Sequence, residues 1–218
     1  MTQTITLWSH DSGPNPWKVA IVLEELALPY ETKFVDLHKE VKAKPYTDKN
    51  PNGRVPAIED PNTGITLWES GAIIEYLIDR YDTSNSLTYT SFPEKYYCKQ
   101  YLHFQSSGQG PYFGQAAWFN KYHPENVQSA KDRYGAEVKR VTMVLDTILN
   151  GKEYLVGDKC TYADLSFVTW YQLAPYITGD TKIDFKGDYP HYYAWMERLT
   201  ARPAVKKVLE DKQKATSG

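Results

Sequence analysis

The sequence predicts an α+β chain, with a small sheet-and-helix unit over residues 1–82, a linker over 83–92 and an all-helical half over 93–218. Three observations carry this. Up to residue 81 the apolar period switches between two, the spacing of a strand, and three to four, the spacing of a helix. Residues 82–92 are rich in Ser and Thr and hold no helical period. Beyond residue 93 almost every apolar run has helical spacing.

Taken in order, residues 4–8 alternate and predict a first strand, followed by the loop Ser-His-Asp-Ser-Gly-Pro at 9–14. Asn15 suits a helix N-cap and Pro16 the first helical position, so a helix is expected from there to about Leu28, with Pro29 as its stop. Residues 31–37 alternate again and predict a second strand. The Lys-rich stretch 38–51 reads as a loop with a short helix. Val55 to Ile58 and Ile65 to Trp68 predict two strands around the turn Asp-Pro-Asn-Thr-Gly at 60–64. Ile74, Leu77, Ile78 and Tyr81 then mark an amphipathic helix. In the second half, Tyr134, Val138, Val141, Leu145 and Ile148 give a long helix that ends at Asn150-Gly151. Thr161 to Asp164 is a capping box that opens another helix. Two more helices are expected, from about Tyr189 to Thr200 and after Pro203, with residues 214–218 frayed.

Composition narrows the function. With 25 Lys and Arg against 27 Asp and Glu, the net charge is -2, so the basic surplus of a nucleic-acid binder is absent. No apolar run reaches the roughly 20 residues of a membrane span, and the N-terminus does not read as a secretory signal. The two cysteines, Cys98 and Cys160, lie far apart without metal-ligand spacing, so neither a metal nor a disulfide is expected.

Several motifs, in order over nearly the whole chain, resemble the glutathione transferase superfamily. They are Arg-Val-Pro-Ala-Ile at 54–58, Trp-Glu-Ser-Gly-Ala-Ile-Ile-Glu-Tyr-Leu at 68–77 and Tyr-Leu-Val-Gly-Asp-Lys-Cys-Thr-Tyr-Ala-Asp-Leu at 154–165. Gly-Pro-Asn-Pro-Trp-Lys at 13–18, Phe-Gln-Ser-Ser-Gly at 104–108 and Arg-Tyr-Gly-Ala-Glu-Val-Lys-Arg-Val at 133–141 narrow this. They are similar to the fungal class related to the nitrogen-regulating prion protein, and to the bacterial nu class. The resemblance implies a thioredoxin-like N-terminal domain followed by an all-helical one. It also implies glutathione as co-substrate, a cytoplasmic homodimer and a role in detoxification.

Glutathione presents a γ-glutamyl carboxylate and amine, a thiol and a glycine carboxylate, and candidate residues exist for each. Glu69 and Ser70 stand where a strand passes into a helix, whose free N–H groups attract a carboxylate, while Glu69 meets the amine. Spacing alone favours Ser70 as a plain N-cap and Glu69 as a surface acid; the resemblance implies the binding roles instead. The resemblance makes the Val55–Pro56 bond cis and turns the Val55 backbone toward the cysteinyl backbone of glutathione, as an added strand would lie. For the glycine carboxylate, Arg54, Lys42 and Lys44 stay open. For the sulfur the resemblance points to Asn15, whose amide can donate to a thiolate but cannot accept its proton; Asn15 as a helix cap remains the other reading. The bacterial relatives carry Thr two residues earlier, where this chain has Gly13, and Ser12 is a substitute. His10 and Asp11 read as solvated loop residues.

With no cysteine in the loop, disulfide chemistry would use glutathione's own sulfur. The resemblance therefore favours disulfide reductase or peroxidase-like activity over conjugation. Tyr101, Phe104, Tyr112, Phe113, Trp118 and Trp170 are candidates for a second-substrate pocket, or are plain core. Arg133 is a candidate contribution from a partner subunit. The alternatives are a non-catalytic regulator or scaffold that keeps the fold, and an enzyme of secondary metabolism that moves glutathione.

Overall fold

The computed structural model describes residues 2–179 and 181–217. The chain divides into two compact units, residues 1–86 with 201–218, and residues 87–200.

In the first unit, strands β1 (Ile5–Ser9), β2 (Tyr30–Phe34), β3 (Ala57–Asp60) and β4 (Ile65–Trp68) form one sheet in the order β2-β1-β3-β4. β1 and β2 are parallel, and β3 runs antiparallel to both of its neighbours. Ile5, Leu7 and Ile58 point to one face and are fully buried with Val19, Val22 and Leu23 of helix α1 (Pro14–Glu25) and Ile73, Ile74 and Leu77 of helix α3 (Ser70–Tyr81). The opposite face carries Trp8 and Trp68, which pack on a smaller cluster of Val35, Val41, Tyr46 and Ala57. That cluster lies beneath a 3-10 turn, Glu40–Lys42, and a short helix α2, Tyr46–Lys49.

Three boundaries differ from expectation, each for a local reason. α1 begins at Pro14, with Gly13 extended at its N-cap, so Asn15 is not the cap. Pro14 has the fixed φ and the missing N–H that suit a first helical position, and Pro16 is then the third residue rather than the first. The same helix ends at Glu25, not near Leu28. Ala27 turns left-handed (φ 51°), and Leu28 and Ala27 donate to the carbonyls of Leu23 and Glu24, which is a Schellman ending. β2 stops at Phe34 rather than residue 37, because the Asp36 carboxylate accepts the N–H groups of His38 and Lys39 and turns the chain.

The second unit holds helices α4 (Glu94–Phe104), α5 (Gly110–Ala117), α6 (Gln128–Leu149), α7 (Tyr162–Ile177), α8 (Phe185–Asp188) and α9 (Pro190–Thr200). A π-helical turn, Gln105–Gln109, joins α4 to α5, and a second, Trp118–Tyr122, follows α5. The expected capping box at α7 is present and deeply set. Asp164, fully buried, accepts Thr161 N–H (2.9 Å), Thr161 hydroxyl (2.8 Å), Leu155 N–H (2.9 Å) and Trp195 Nε1–H (3.0 Å). Burial pushes its carboxyl above the usual carboxylate range against these four donors. Such a network ties the loop before α7 and helix α9 to one side chain.

Helix α10 (Pro203–Ser217) was expected within the helical half; it clusters instead with the first unit, along α1. Val205, Val208 and Lys212 form its buried stripe. Arg202 grips Glu25 in a two-pronged ion pair (2.6 and 2.7 Å), and Lys207 reaches Glu24 (2.6 Å). The tail expected to fray is helical through Ser217, and Gly218 lies outside the described residues. No helix among the described residues is long and apolar enough to cross a membrane.

Candidate functional site

The sheet register brings the candidate segments to one end of one unit. Trp8 pairs with Ala57, and Ala57 with Trp68. One residue beyond this row, β1 passes into the 9–13 loop and α1. On the next strand Val55 and Pro56 immediately precede it, and beyond Trp68 come Glu69 and Ser70 at the start of α3. Asn15, Arg54, Val55, Pro56, Glu69 and Ser70, drawn from three separate stretches, thus share the same sheet end.

Each stretch has its own local cause. The Val55–Pro56 bond is cis, as the resemblance implied. The backbone before it is held from below: Lys42 Nζ donates to the Gly53 carbonyl (2.6 Å), and both Tyr46 OH and Asn50 Nδ2 donate to the Arg54 carbonyl (2.6 Å each). Gly53 needs its small size here. Its φ is +60°, and a Cβ would stand 2.7 Å from the Val41 carbonyl oxygen. Lys42 and Lys44, left open by sequence, are separated: Lys42 lies against this segment, whereas Lys44 pairs with Asp48 (3.2 Å), both exposed. The Arg54 side chain is exposed.

Ser70 is the first residue of α3 and is buried, so it is not the helix cap. Glu69 takes the cap position, with no side-chain capping bond, its own side chain exposed and φ at +70°. A non-glycine residue in that region costs about 1–3 kcal/mol, a strain that gathers at functional sites. The free N–H groups at this helix start are therefore aimed by a strained joint and left without a side-chain acceptor from the cap.

At α1, prolines occupy the first and third helical positions, so Asn15 alone among the first three residues has a backbone N–H. Its side-chain amide and that N–H are the polar hydrogens this helix start can offer. The loop before it is partly exposed, as expected of solvated residues, and is also tied together by its own polar contacts. His10 Nδ1 lies 2.9 Å from Asp11 Oδ1 and 3.2 Å from Ser12 Oγ, and Trp17 Nε1 donates to the carbonyls of His10 (3.0 Å) and Asp11 (2.9 Å). Ser12, the substitute for the missing threonine, has its hydroxyl on that imidazole. A cavity of about 410 Å³ opens on the β2 flank of the same loop, lined by His10, Asp11, Phe34, Asp36, His38 and Ala215 among others. None of the candidate binding residues lines it.

Sequence reading missed Lys18. It sits in α1 one turn beyond Asn15 and is 1% exposed. Burial lowers the pKa of its ammonium to about 7, against which the Glu69 carboxylate holds it up. The signal was present: a lysine inside the run Trp-Lys-Val-Ala-Ile-Val-Leu, every member of which is buried.

In the second unit, Tyr101, Phe113 and Trp170 are buried, and Phe113 meets Trp170 edge-on (6.4 Å); these three are core. Phe104 packs against Phe167 (6.1 Å) and Tyr112 against Tyr134 (6.5 Å), while Trp118 is exposed. Arg133 is exposed on α6. Cys98 and Cys160 are both buried in this unit, and neither is in a disulfide. Among the described residues no group of three or more His, Cys, Asp or Glu is placed to hold a metal.

Comparison with known proteins gives a consistent outcome. The family model described as glutathione S-transferase, N-terminal domain, matches residues 3–79, and that of the C-terminal domain matches residues 110–203. Glutathione S-transferase-like protein gedE of Aspergillus terreus is 49% identical over 218 residues, which cover 94% of each chain. The glutathione transferase URE2P6 of Phanerochaete chrysosporium, solved in complex with oxidized glutathione, is 46% identical, with a TM-score of 0.93 over 98% of both chains. Ure2p5 of the same organism, cocrystallized with 1-(S-glutathionyl)-2,4-dinitrobenzene, is 39% identical, with a TM-score of 0.91 over 100% of this chain and 98% of that one.

Proposed function

The chain belongs to the glutathione S-transferase family, and from that premise we propose that it binds glutathione across its sheet end and uses the thiolate as a nucleophile. The observation that carries the reading is the register row Trp8–Ala57–Trp68, beyond which α1, Val55–Pro56 and the start of α3 lie side by side. On this reading the γ-glutamyl carboxylate takes the Ser70 hydroxyl and the first N–H groups of α3, and the amine takes Glu69. The cysteinyl backbone lies along Val55, the glycine carboxylate meets Arg54 and Lys42, and the sulfur meets Asn15.

A free thiol has a pKa near 8.5, so at neutral pH most of it is protonated. The Asn15 amide and backbone N–H favour the charged form, which needs no protein base if the proton leaves to water. The thiolate then attacks a disulfide carrying a glutathionyl group: a new S–S bond forms to glutathione, the old one breaks, and the other thiolate departs. The products are oxidized glutathione and a free thiol. This is the activity we place first, because the class that the chain's motifs resemble is noted more for it than for conjugation; with both cysteines of the chain buried, the reacting sulfur is glutathione's own.

Conjugation is the second reading, and the thioether bound by Ure2p5 favours it. There the same thiolate attacks an electrophilic carbon and expels a leaving group. Turnover of hydroxyethyl disulfide and of 1-chloro-2,4-dinitrobenzene, each with reduced glutathione, ranks the two. Calorimetry with the wild type and Ser70→Ala tests the binding site itself. Removal of a charge-assisted hydrogen bond of about 1.5–3 kcal/mol weakens binding by roughly ten- to a hundredfold. Equal affinity in the two proteins would move the γ-glutamyl group elsewhere, and no turnover of either substrate would favour a regulator that keeps the fold. Arg133 enters the proposal only as a residue supplied by a second copy of the chain, for which the oligomeric state in solution is the first test.

A further inference from the structure

A cavity of about 470 Å³ opens in the second unit, between helix α9 and the turn that ends α6. Residues 149–153 form one wall, and His191, Ala194 and Arg198 of α9 form the other. Both walls have local causes. Asn150 (φ -60°, ψ 118°) and Gly151 (φ +73°) make a type II turn, closed by Lys152 N–H on the Leu149 carbonyl (2.9 Å). On α9, positions 191, 194 and 198 recur at helical spacing and share one face, beside the buried stripe of Tyr192, Trp195 and Leu199. The walls are pinned at both ends. Asp146 of α6 accepts Tyr192 N–H (2.9 Å) at the start of α9. Two turns on, Arg198 Nη1 donates to the Glu153 carbonyl (2.7 Å), and its guanidinium lies 5.7 Å from the Tyr154 ring centre.

The charges in this cavity do not balance. A guanidinium has five N–H groups, and the Glu153 carbonyl takes one, which leaves Nε and Nη2. Among the described residues no carboxylate pairs with Arg198 or with Lys152. The carboxylate in the lining, that of Glu153, is exposed and screened by water, and Glu197 of α9 lies outside the lining. The C-terminus of α6 opposes an anion and the N-terminus of α9 favours one, so the helix ends offset each other. The side chains decide, and they leave a net positive charge. Between the cations, buried Leu149 and the short side chain of Ala194 give an apolar floor. His191 and Arg198 are seven residues apart, about 10 Å along the helix.

We infer that this cavity binds a small aryl or alkyl carboxylate. The inference is independent of the glutathione reading, whose residues all belong to the other unit. The ligand carboxylate takes Nε and Nη2 of Arg198, a planar edge that matches its two oxygens, and Lys152 adds its charge. The apolar body lies over Ala194 and Leu149 toward His191. Because Arg198 is held before the ligand arrives, little side-chain freedom is lost on binding. The volume falls within the roughly 300–1,000 Å³ of small-molecule sites.

The test titrates 2-naphthylacetate into the full chain by calorimetry, with S-methylglutathione in excess, and repeats it with the matching uncharged alcohol. The acid binds at one site per chain, about tenfold or more tighter than the alcohol, and its affinity falls with added salt. Arg198→Gln weakens it roughly ten- to a hundredfold. Lys152→Gln, at an exposed position, weakens it about two- to fivefold. Neither changes binding of the alcohol. Ala194→Glu sets a carboxylate on the floor and abolishes binding of the acid; the position is exposed and Glu is a good helix former, so the fold is kept. Arg198→Gln also gives up the Glu153 contact, so the other two variants decide if it does not fold. No binding at millimolar acid, equal affinity for acid and alcohol, or an acid affinity that neither Lys152→Gln nor Ala194→Glu changes overturns the inference. So does binding that S-methylglutathione abolishes, which would place the acid in the other unit and leave the glutathione reading standing.

Discussion

Asn15→Ala isolates the sulfur end of the site. The opening of α1 fixes the size of the effect. Prolines at its first and third positions leave the helix start with one backbone N–H, that of Asn15, and the substitution retains it. What is lost is the side-chain amide, one hydrogen bond to a charged sulfur, worth about 1.5–3 kcal/mol. The residues on either side cannot take over, because Pro14 and Pro16 have no N–H. The bound thiol should therefore titrate about 1–2 units higher than in the wild type. The ultraviolet absorbance of the thiolate, followed against pH with glutathione saturating, reads this directly. Affinity for S-methylglutathione should stay within about twofold, since no charge forms on that sulfur. The rate of disulfide reduction should drop about tenfold or more at pH 7 and approach the wild-type rate above the new pKa, which a merely loosened helix would not do. Asn15→Asp keeps the backbone and sets a carboxylate against the thiolate, so it should raise the pKa further. A titration curve that moves in neither variant removes Asn15 from the chemistry and leaves the Asn15 backbone N–H as the donor to test.

The remaining predictions concern what the site and its frame cost. Glu69→Gly relieves a positive-φ strain of about 1–3 kcal/mol and adds about 0.5–1 kcal/mol of chain entropy, so the fold should gain about 1 kcal/mol while glutathione binding weakens; a lower melting temperature would show that the joint is not strained. Asp164→Asn removes a carboxylate that accepts four hydrogen bonds and should destabilize the protein by about 2–4 kcal/mol in urea unfolding followed by circular dichroism, with unfolding midpoints unchanged refuting it. Between pH 7 and the ordinary lysine range near 10.5, the unfolded chain holds the Lys18 proton more firmly than the folded one, so stability must rise with pH. From pH 7 to 9 that rise is about 2 kcal/mol in wild type minus Lys18→Met; a difference that falls with pH would contradict the burial of this group.

The sheet was legible because β1, β3 and β4 alternate and are separated by turn residues that act locally. The α7 start was legible for the same reason: a capping box is a four-residue signal, and Thr161 and Asp164 are only three apart. Where two local rules competed, sequence reading went astray. Asn15 followed by Pro16 matches a cap and first-position pair, but Pro14 claims the first position earlier, and only the folded loop decides. Asp36 lies in an alternating stretch, so its role as a turn acceptor was hidden behind Val35 and Leu37. The rest lay beyond local reading. The bonds of Arg202 to Glu25 span 177 residues, and nothing near either residue announces that α10 returns to α1. The π-helical turn at 105–109 depends on Gln109 reaching the Phe167 carbonyl (3.2 Å), again a distant partner. For the site, motif resemblance named the segments, but only the register showed that they share a sheet end, and only burial singled out Lys18.

The molecule treats its polar groups in two opposite ways, and the contrast separates frame from site. Asp164 is wholly enclosed yet surrounded by donors, so its charge is spent inside the fold and can serve only stability. At the sheet end the pattern reverses. Glu69 is held at +70° without capping its helix, and a lysine is enclosed, with its burial set against the Glu69 carboxylate. Each of these lowers the stability of the empty protein, and a chain under selection for stability alone would shed them by single substitutions. An anion laid at the start of α3 would supply an acceptor to the first N–H groups of that helix. Two independent costs gathered at one sheet end argue for a binding site more strongly than either does alone, and the helix start beside them argues for a ligand with a carboxylate.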